Sequence, residues 1–176
     1  MKEKMEACLW RVLGELVGGA GQGIWFEAVG HMKLTQTDKQ FTAKRLASRK
    51  KPLTLLMKFN LPKVLIQSVN DIASAPAGSY LLPIFGNFML VDAIIKPNIM
   101  LQFTVSESHG SANDLGKWQT IRQHLGGERK NDMLIFVIPA NKMNKKFTYV
   151  GVPEDIQCFV MTWEDVAIAG VKRKRS

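Results

Sequence analysis

Two nearly unbroken apolar runs, separated by a three-residue turn, constrain this chain more than any other feature. Phe88-Met89-Leu90-Val91-Asp92-Ala93-Ile94-Ile95 predicts a strand buried on both faces. Lys96-Pro97-Asn98 has the composition of a tight turn. Ile99-Met100-Leu101-Gln102-Phe103-Thr104-Val105 predicts the returning strand of a hairpin. Beyond it, Ser111 or Asn113 is suited to cap a helix running to Leu125, where Gly126-Gly127 stops it. Met133-Leu134-Ile135-Phe136-Val137-Ile138 predicts another buried strand, closed by Pro139. A strand reached through a helical crossover lies parallel in the sheet, with a right-handed connection. Residues 88–138 therefore predict a strand–strand–helix–strand core.

The flanks extend this pattern. Met5, Leu9, Val12, Leu13 and Leu16 recur at helical spacing and end at Gly18-Gly19. A second helix starts near Gln22, with Ile24, Trp25, Ala28, Val29 and Met32 as a broad apolar face. Glu27 and His31 stand one turn apart on it and share a side. Extended pieces from Phe41 to Leu46 and from Pro52 to Phe59 flank a basic turn. Val64-Leu65-Ile66 follows, then a polar break at Asn70-Asp71 and a loop from Ala73 to Pro83. Gln157-Cys158-Phe159-Val160-Met161 predicts a last strand. At 176 residues the chain is long enough for one domain with a real core. The expected fold class is α/β, a mixed β-sheet flanked by helices. Its parts are an N-terminal helix over 1–20, a domain over 21–165, and a basic, disordered tail over 166–176.

Charge narrows the partners. A formal net charge of +9 favours polyanions, namely nucleic acid or an anionic membrane surface, over neutral ligands. A soluble protein with a basic tail is the plainer reading of the same number. No apolar run approaches the roughly 18 residues needed to span a bilayer, and no membrane partner is expected. Met1-Lys2-Glu3-Lys4 is charged, unlike the start of a signal peptide. Cys8 and Cys158 lie far apart among apolar residues, without metal-ligand spacing, and are expected to pack as small hydrophobes.

Two polar residues interrupt the apolar strands: Asp92 and Gln102. Burying an unpaired carboxylate costs several kcal/mol, so such a group takes a cation, a metal or hydrogen-bond donors as partner. The intervening turn sets Asp92 and Gln102 side by side at one end of the strand pair, and Thr104 shares the face of Gln102 by two-residue alternation. Asp92 remains open to a purely structural reading, as a buried acid paired with a basic side chain. So does Gln102, as a satisfied core amide.

Gly23-Ile24-Trp25-Phe26-Glu27, His31, Tyr80-Leu81-Leu82-Pro83, Val91-Asp92-Ala93-Ile94 and Leu101-Gln102-Phe103-Thr104-Val105-Ser106, with His109 shortly after, occur in that order. Over roughly residues 20 to 140, the series resembles the C-terminal domain of Crinkler effectors and the related domain of retrotransposon-hot-spot proteins. These belong to the restriction-endonuclease-like, PD-(D/E)xK, superfamily. The resemblance implies a restriction-endonuclease-like core whose signature is an Asp on one strand and Glu/Gln-x-Lys on the next. It implies Mg²⁺ as cofactor, held by Asp92, Gln102 and Glu27, and phosphodiester hydrolysis as the reaction. Thr104 stands where that pattern has lysine and supplies no positive charge. Lys117 on the following helix is the expected substitute, and Lys96 on the turn a poorer one.

The resemblance further implies a secreted effector or toxin-like domain acting in a host nucleus. The phosphate-binding glycine loop that often precedes such domains is missing here, as is a translocation header, so an excised domain or a short family member is expected. Partners are then DNA or another nucleic acid, or, if catalysis is lost, a host nuclear protein bound by an inactive interaction module. Residues 39–63 carry Lys39, Lys44, Arg45, Arg49, Lys50, Lys51, Lys58 and Lys63 without one acid. Phosphate contact by Lys44, Arg45, Arg49, Lys50 and Lys51 is the preferred reading. Lys172-Arg173-Lys174-Arg175 fits a nuclear-localisation address. No Ser-His-Asp order with an elbow motif, nucleotide-binding glycine loop or zinc spacing points to a metabolic enzyme.

Overall fold

The computed structural model describes residues 21, 23–46, 53–84, 90–110, 114–143 and 147–163, with only the backbone placed at 108–110. The expected helix over 1–20, the residues Arg49, Lys50 and Lys51, Phe88 and the tail with Lys172, Arg173, Lys174 and Arg175 lie outside the described residues. Within them the protein is mixed α/β, as its alternating patterns predict.

Helix α1 covers residues 23–35. Strands β1 (Phe41–Arg45), β2 (Thr54–Met57) and β3 (Lys63–Ile66) follow, then helix α2 (Val69–Ser74) and strand β4 (Tyr80–Pro83). Strands β5 (Ala93–Ile95) and β6 (Ile99–Phe103) form the expected hairpin, and β7 (Ser108–Gly110) leads to helix α3 (Leu115–Leu125). Strands β8 (Met133–Val137), β9 (Thr148–Val150) and β10 (Gln157–Met161) complete the order. Eight strands form one sheet in the order β2-β1-β10-β8-β6-β5-β4-β3, while β7 and β9 pair separately. The strand after α3 does lie parallel to the strand before it: β8 runs parallel to β6, with Leu101 opposite Ile135 and Phe103 opposite Val137. Parallel pairing continues from β8 to β10.

Both sheet faces are covered, which is why β6 and β8 read as continuous apolar runs. On one face Phe26 and Leu34 of α1 pack with Phe41, Tyr80, Leu101, Phe103, Ile135 and Phe159. On the other, Ile72 of α2 and Trp118, Ile121 and Leu125 of α3 pack with Ile94, Met100, Leu134 and Phe136. Helix α3 begins at Asp114 rather than Ser111 or Asn113. The Asp114 carboxylate accepts the Lys117 amide at 3.0 Å, satisfying one of the free donors of the first turn. The helix ends at Gly126, whose φ of 83° is accommodated without a Cβ penalty.

Three expectations are corrected. The broad apolar face expected on α1 is split: Ile24 is 72% and Met32 41% exposed and Ala28 is exposed, while Trp25 and Val29 are half-buried. Phe26, Gly30 and Leu34 face the sheet instead. A Cβ at Gly30 would lie 2.7 Å from Cδ1 of Phe103 and would overlap Cε1, so the missing side chain lets the helix descend onto that ring. The polar break at Asn70-Asp71 is inside α2, and the loop expected from Ala73 to Pro83 contains β4. Asp71 accepts the amides of Gln67 and Ser68 at 2.7 and 2.8 Å, so this acid starts a helix rather than interrupting structure.

The long strand expected from Phe88 is in the described part only β5, Ala93–Ile95. The Phe103 amide donates at 2.6 Å to Oδ2 of Asp92. A side-chain oxygen thus occupies a position of the ladder that a strand carbonyl would take, and regular pairing stops there. Lys96, on the turn, is buried and donates to the carbonyls of Ile72 and Ala73 at 2.8 and 3.0 Å. These are among the last carbonyls of α2, where a cation also complements the helix dipole.

Candidate functional site

Asp92 is held at the end of the β5–β6 hairpin. Its own amide donates to the Leu101 carbonyl at 2.9 Å. Its Oδ2 accepts the Gln102 side-chain amide at 2.8 Å and the Phe103 backbone amide at 2.6 Å. The expected juxtaposition of Asp92 and Gln102 is therefore present. Because both donors fall on Oδ2, Oδ1 is the oxygen left for a further partner. The Gln102 Nε2 faces the acid, which turns Oε1 away from it.

Helix α1 adds a second acid. Glu27, with its side chain 41% exposed, lies 3.6 Å from Nε2 of His31 one turn later. His31 is more than the surface partner of Glu27. Its Nδ1 lies 2.7 Å from the Tyr80 hydroxyl on β4, and its ring packs on Phe103 with centroids 4.4 Å apart. The ring also meets Tyr80 edge to face at 5.9 Å. The short α1-to-sheet distance that Gly30 permits makes these contacts reachable.

The electrostatics tie the elements together. Burial, then the negative charge of Glu27, raises the Asp92 carboxyl to about 7, against the opposing pull of the Phe103 amide and Gln102. Burial holds the Tyr80 hydroxyl well above its ordinary range, and the charges of Asp92 and Glu27 push the same way. Asp92 and Tyr80 are thus poorly solvated groups that both feel the charge of the half-exposed Glu27, a setting common at functional sites.

The other expected site residues are arranged differently. Thr104 is buried, its amide donating to the Val137 carbonyl at 3.0 Å and its hydroxyl accepting the Ser106 amide at 3.1 Å. Lys117 sits on the exposed first turn of α3, 3.1 Å from Asp114. Lys96 is committed to α2. A lysine not singled out from sequence, Lys142, donates to the Val105 carbonyl from the turn after β8. Only the parallel β6–β8 pairing brings it there, across 37 residues. Tyr80 is the other residue missed as a site member. Its place in the Tyr80-Leu81-Leu82-Pro83 run was legible, its hydrogen bond to His31 was not.

The donor set suits the implied ion in kind. Asp92 and Glu27 offer carboxylate oxygens, the type Mg²⁺ takes, whereas Gln102 presents its Nε2 to Asp92 and is a hydrogen-bond donor there. Among the described residues no three His, Cys, Asp or Glu side chains stand together as a metal cluster. The set is therefore two carboxylates, Asp92 fixed by Phe103 and Gln102 and Glu27 half-exposed beside His31.

The expected phosphate contacts divide. Lys44 is exposed on β1. Arg45 turns inward, donating to Gln157 Oε1 at 2.5 Å and lying 5.6 Å over the Phe159 ring. Lys63 begins β3, at the edge of the sheet opposite β2. The basic stretch of sequence is thus not one surface. No helix among the described residues is long and apolar enough to cross a membrane. No family model, no curated protein and no solved structure matches this chain.

Proposed function

We propose that this domain binds nucleic acid and cleaves phosphodiesters with a divalent cation at Glu27 and Asp92, as an effector or toxin-like domain of restriction-endonuclease-like ancestry acting in a host nucleus. The observation that carries the reading is Asp92 held at the end of the β5–β6 hairpin by the Phe103 amide and the Gln102 side chain, with Glu27 of α1 beside His31 as a second acid whose charge helps raise the Asp92 carboxyl. A poorly solvated acid that also feels a second carboxylate gains from a nearby cation. Mg²⁺ bound by Asp92 and Glu27 would neutralise that charge and supply Lewis acidity toward a phosphoryl oxygen. The chain's own part is to hold Asp92 rigidly through Phe103 and Gln102 and to place Glu27 through the His31–Tyr80 bond. Plasmid incubated with Mg²⁺ and the protein should be nicked or linearised, and Asp92→Ala should abolish this. Equal cleavage by both proteins, or by neither, removes the catalytic reading.

A second reading is an inactive interaction module that binds a host nuclear protein. It is favoured by the neutral Thr104 together with the engagement of Lys117 and Lys96 elsewhere. A salt-dependent DNA affinity that vanishes on neutralising Arg49, Lys50 and Lys51 would count against it, and under it Asp92→Ala leaves partner binding unchanged.

A further inference from the structure

Strands β1 and β2 pair with Thr42 opposite Leu56 and Lys44 opposite Thr54. Directly opposed residues share a face of the sheet, and alternation places Lys58, just beyond β2, on that face as well. The other face of the pair carries Phe41, Ala43, Leu55 and Met57, all packed into the core beneath α1. Lys44, Thr54, Leu56 and Lys58 therefore look out on the opposite side of the sheet, and all four are exposed. Strand β2 ends the sheet order, and Leu56 is left 61% exposed.

Charge decides what this face fits. No Asp or Glu occurs from residue 39 to 63. The preceding acid, Asp38, accepts the Asn60 side-chain amide at 2.7 Å, past Lys58 toward the base of the pair. Lys44 and Lys58 thus face outward without an acid between them along the pair. Thr54 and Lys58 lie four residues apart on an extended strand, about 14 Å at roughly 3.4 Å per residue. That distance covers about four nucleotides of a B-form strand at roughly 3.4 Å each. The hydroxyls of Thr54, opposite Lys44, and of Thr42, opposite Leu56, are ordinary phosphate donors, and Leu56 gives an apolar contact for sugar.

We infer that the outward face of the β1–β2 pair is the phosphate-contacting surface for nucleic acid, with Lys44 and Lys58 as its cations. The inference rests on the nucleic-acid reading above and specifies where that contact lies. Arg45 and Lys63 do not belong to it, because one turns to Phe159 and the other lies at the far edge of the sheet.

The test is the salt dependence of binding to a short fluorescent DNA duplex, followed by anisotropy. Removing one lysine–phosphate pair lowers the slope of log K against log salt by about 0.9. Lys44→Gln combined with Lys58→Gln is expected to lower the slope by about 2, while Lys63→Gln leaves it unchanged. All are surface changes, and circular dichroism checks that each variant is folded. If the unaltered protein shows no salt-dependent binding, the nucleic-acid reading itself fails and takes this surface with it. If it binds but the double variant keeps the full slope, or Lys63→Gln lowers it equally, the surface is wrong and the reading stands. Competition by polyglutamate as effective as DNA at equal charge assigns the face to acidic protein and overturns the inference.

Discussion

His31 Nδ1 and the Tyr80 hydroxyl lie 2.7 Å apart, joining α1 to β4 across 49 residues of chain. The bond fixes the rotation of α1 about its axis and with it the direction of Glu27, one turn earlier on the same side. Fold and candidate site meet at this contact, since the same helix face buries Phe26 and presents the second acid.

Tyr80→Phe removes the hydroxyl and leaves His31 without that partner in a half-buried position. An unsatisfied polar group of this kind costs about 1–3 kcal/mol. Urea unfolding should show a lower midpoint with an unchanged slope, and a double-mutant cycle with His31→Phe should recover a coupling of similar size. An additive cycle would mean that the two side chains do not depend on each other.

Asp92 makes stability depend on pH in a direction opposite to an ordinary paired carboxylate. Its carboxyl rises from 3.8 in the free side chain to about 7 in the fold. Between those values the folded protein holds more protons than the unfolded chain, so stability is highest at low pH for this group and falls as pH rises. The slope reaches at most about 1.4 kcal/mol per pH unit. Asp92→Asn, whose carbonyl still accepts the Phe103 amide, should flatten this part of the profile and be more stable than the parent at pH above about 7. Urea titrations across the range decide it.

The same acid predicts a metal response. Above about pH 7, where Asp92 is ionised, Mg²⁺ should raise the melting temperature of the parent protein by mass action. Neither Asp92→Asn nor Glu27→Gln should respond equally. Differential scanning fluorimetry with and without a chelator measures it, and an identical shift in all three proteins would place the ion elsewhere.

Gly30→Ala should loosen the site without touching an acid. The new Cβ overlaps the Phe103 ring, and that ring is wedged between Phe26 and His31. Overpacking costs about 1–3 kcal/mol, partly offset by the roughly 1 kcal/mol by which alanine favours a helix interior over glycine. The net loss should be regained in part by Phe103→Leu in the same chain, as read from denaturation midpoints.

Arg122 carries a prediction separate from the site. It donates to buried Asp132 at 2.5 Å and to exposed Asp155 at 2.7 Å. Arg122→Gln strands the Asp132 charge and should cost about 3–5 kcal/mol. Asp155→Asn, which removes only the solvent-exposed arm, should cost no more than about 1 kcal/mol. Urea midpoints of the two variants against the parent give both values.

The strands of the centre were legible because both their faces are buried. Met133–Val137 and Gln157–Met161 stand out as apolar runs, and the helix between β6 and β8 ends at a glycine. Asp92 and Gln102 were legible as polar interruptions in that background. The face of α1 was not. Counting apolar residues favours Ile24, Trp25, Ala28, Val29 and Met32, of which only Trp25 and Val29 are half-buried, whereas packing places Phe26, Gly30 and Leu34 on the sheet. The helix α2 was hidden because Asp71, a capping acid, has the same composition as a loop residue. Arg45 was read by its charge as a phosphate contact, while the fold uses its planar guanidinium on Phe159 and Gln157.

By itself the sequence determined that β6, β8 and β10 are strands, that the crossover is helical, and that an acid and an amide share one hairpin. These follow from local periodicity and chain connectivity, which act over a few residues. Only the tertiary structure decided that β6 and β8 are neighbours, that Glu27 and Tyr80 meet at His31, and that the basic stretch splits between opposite edges. Those relations depend on which surfaces pack across many residues, and on one absent Cβ at Gly30, which no local pattern encodes.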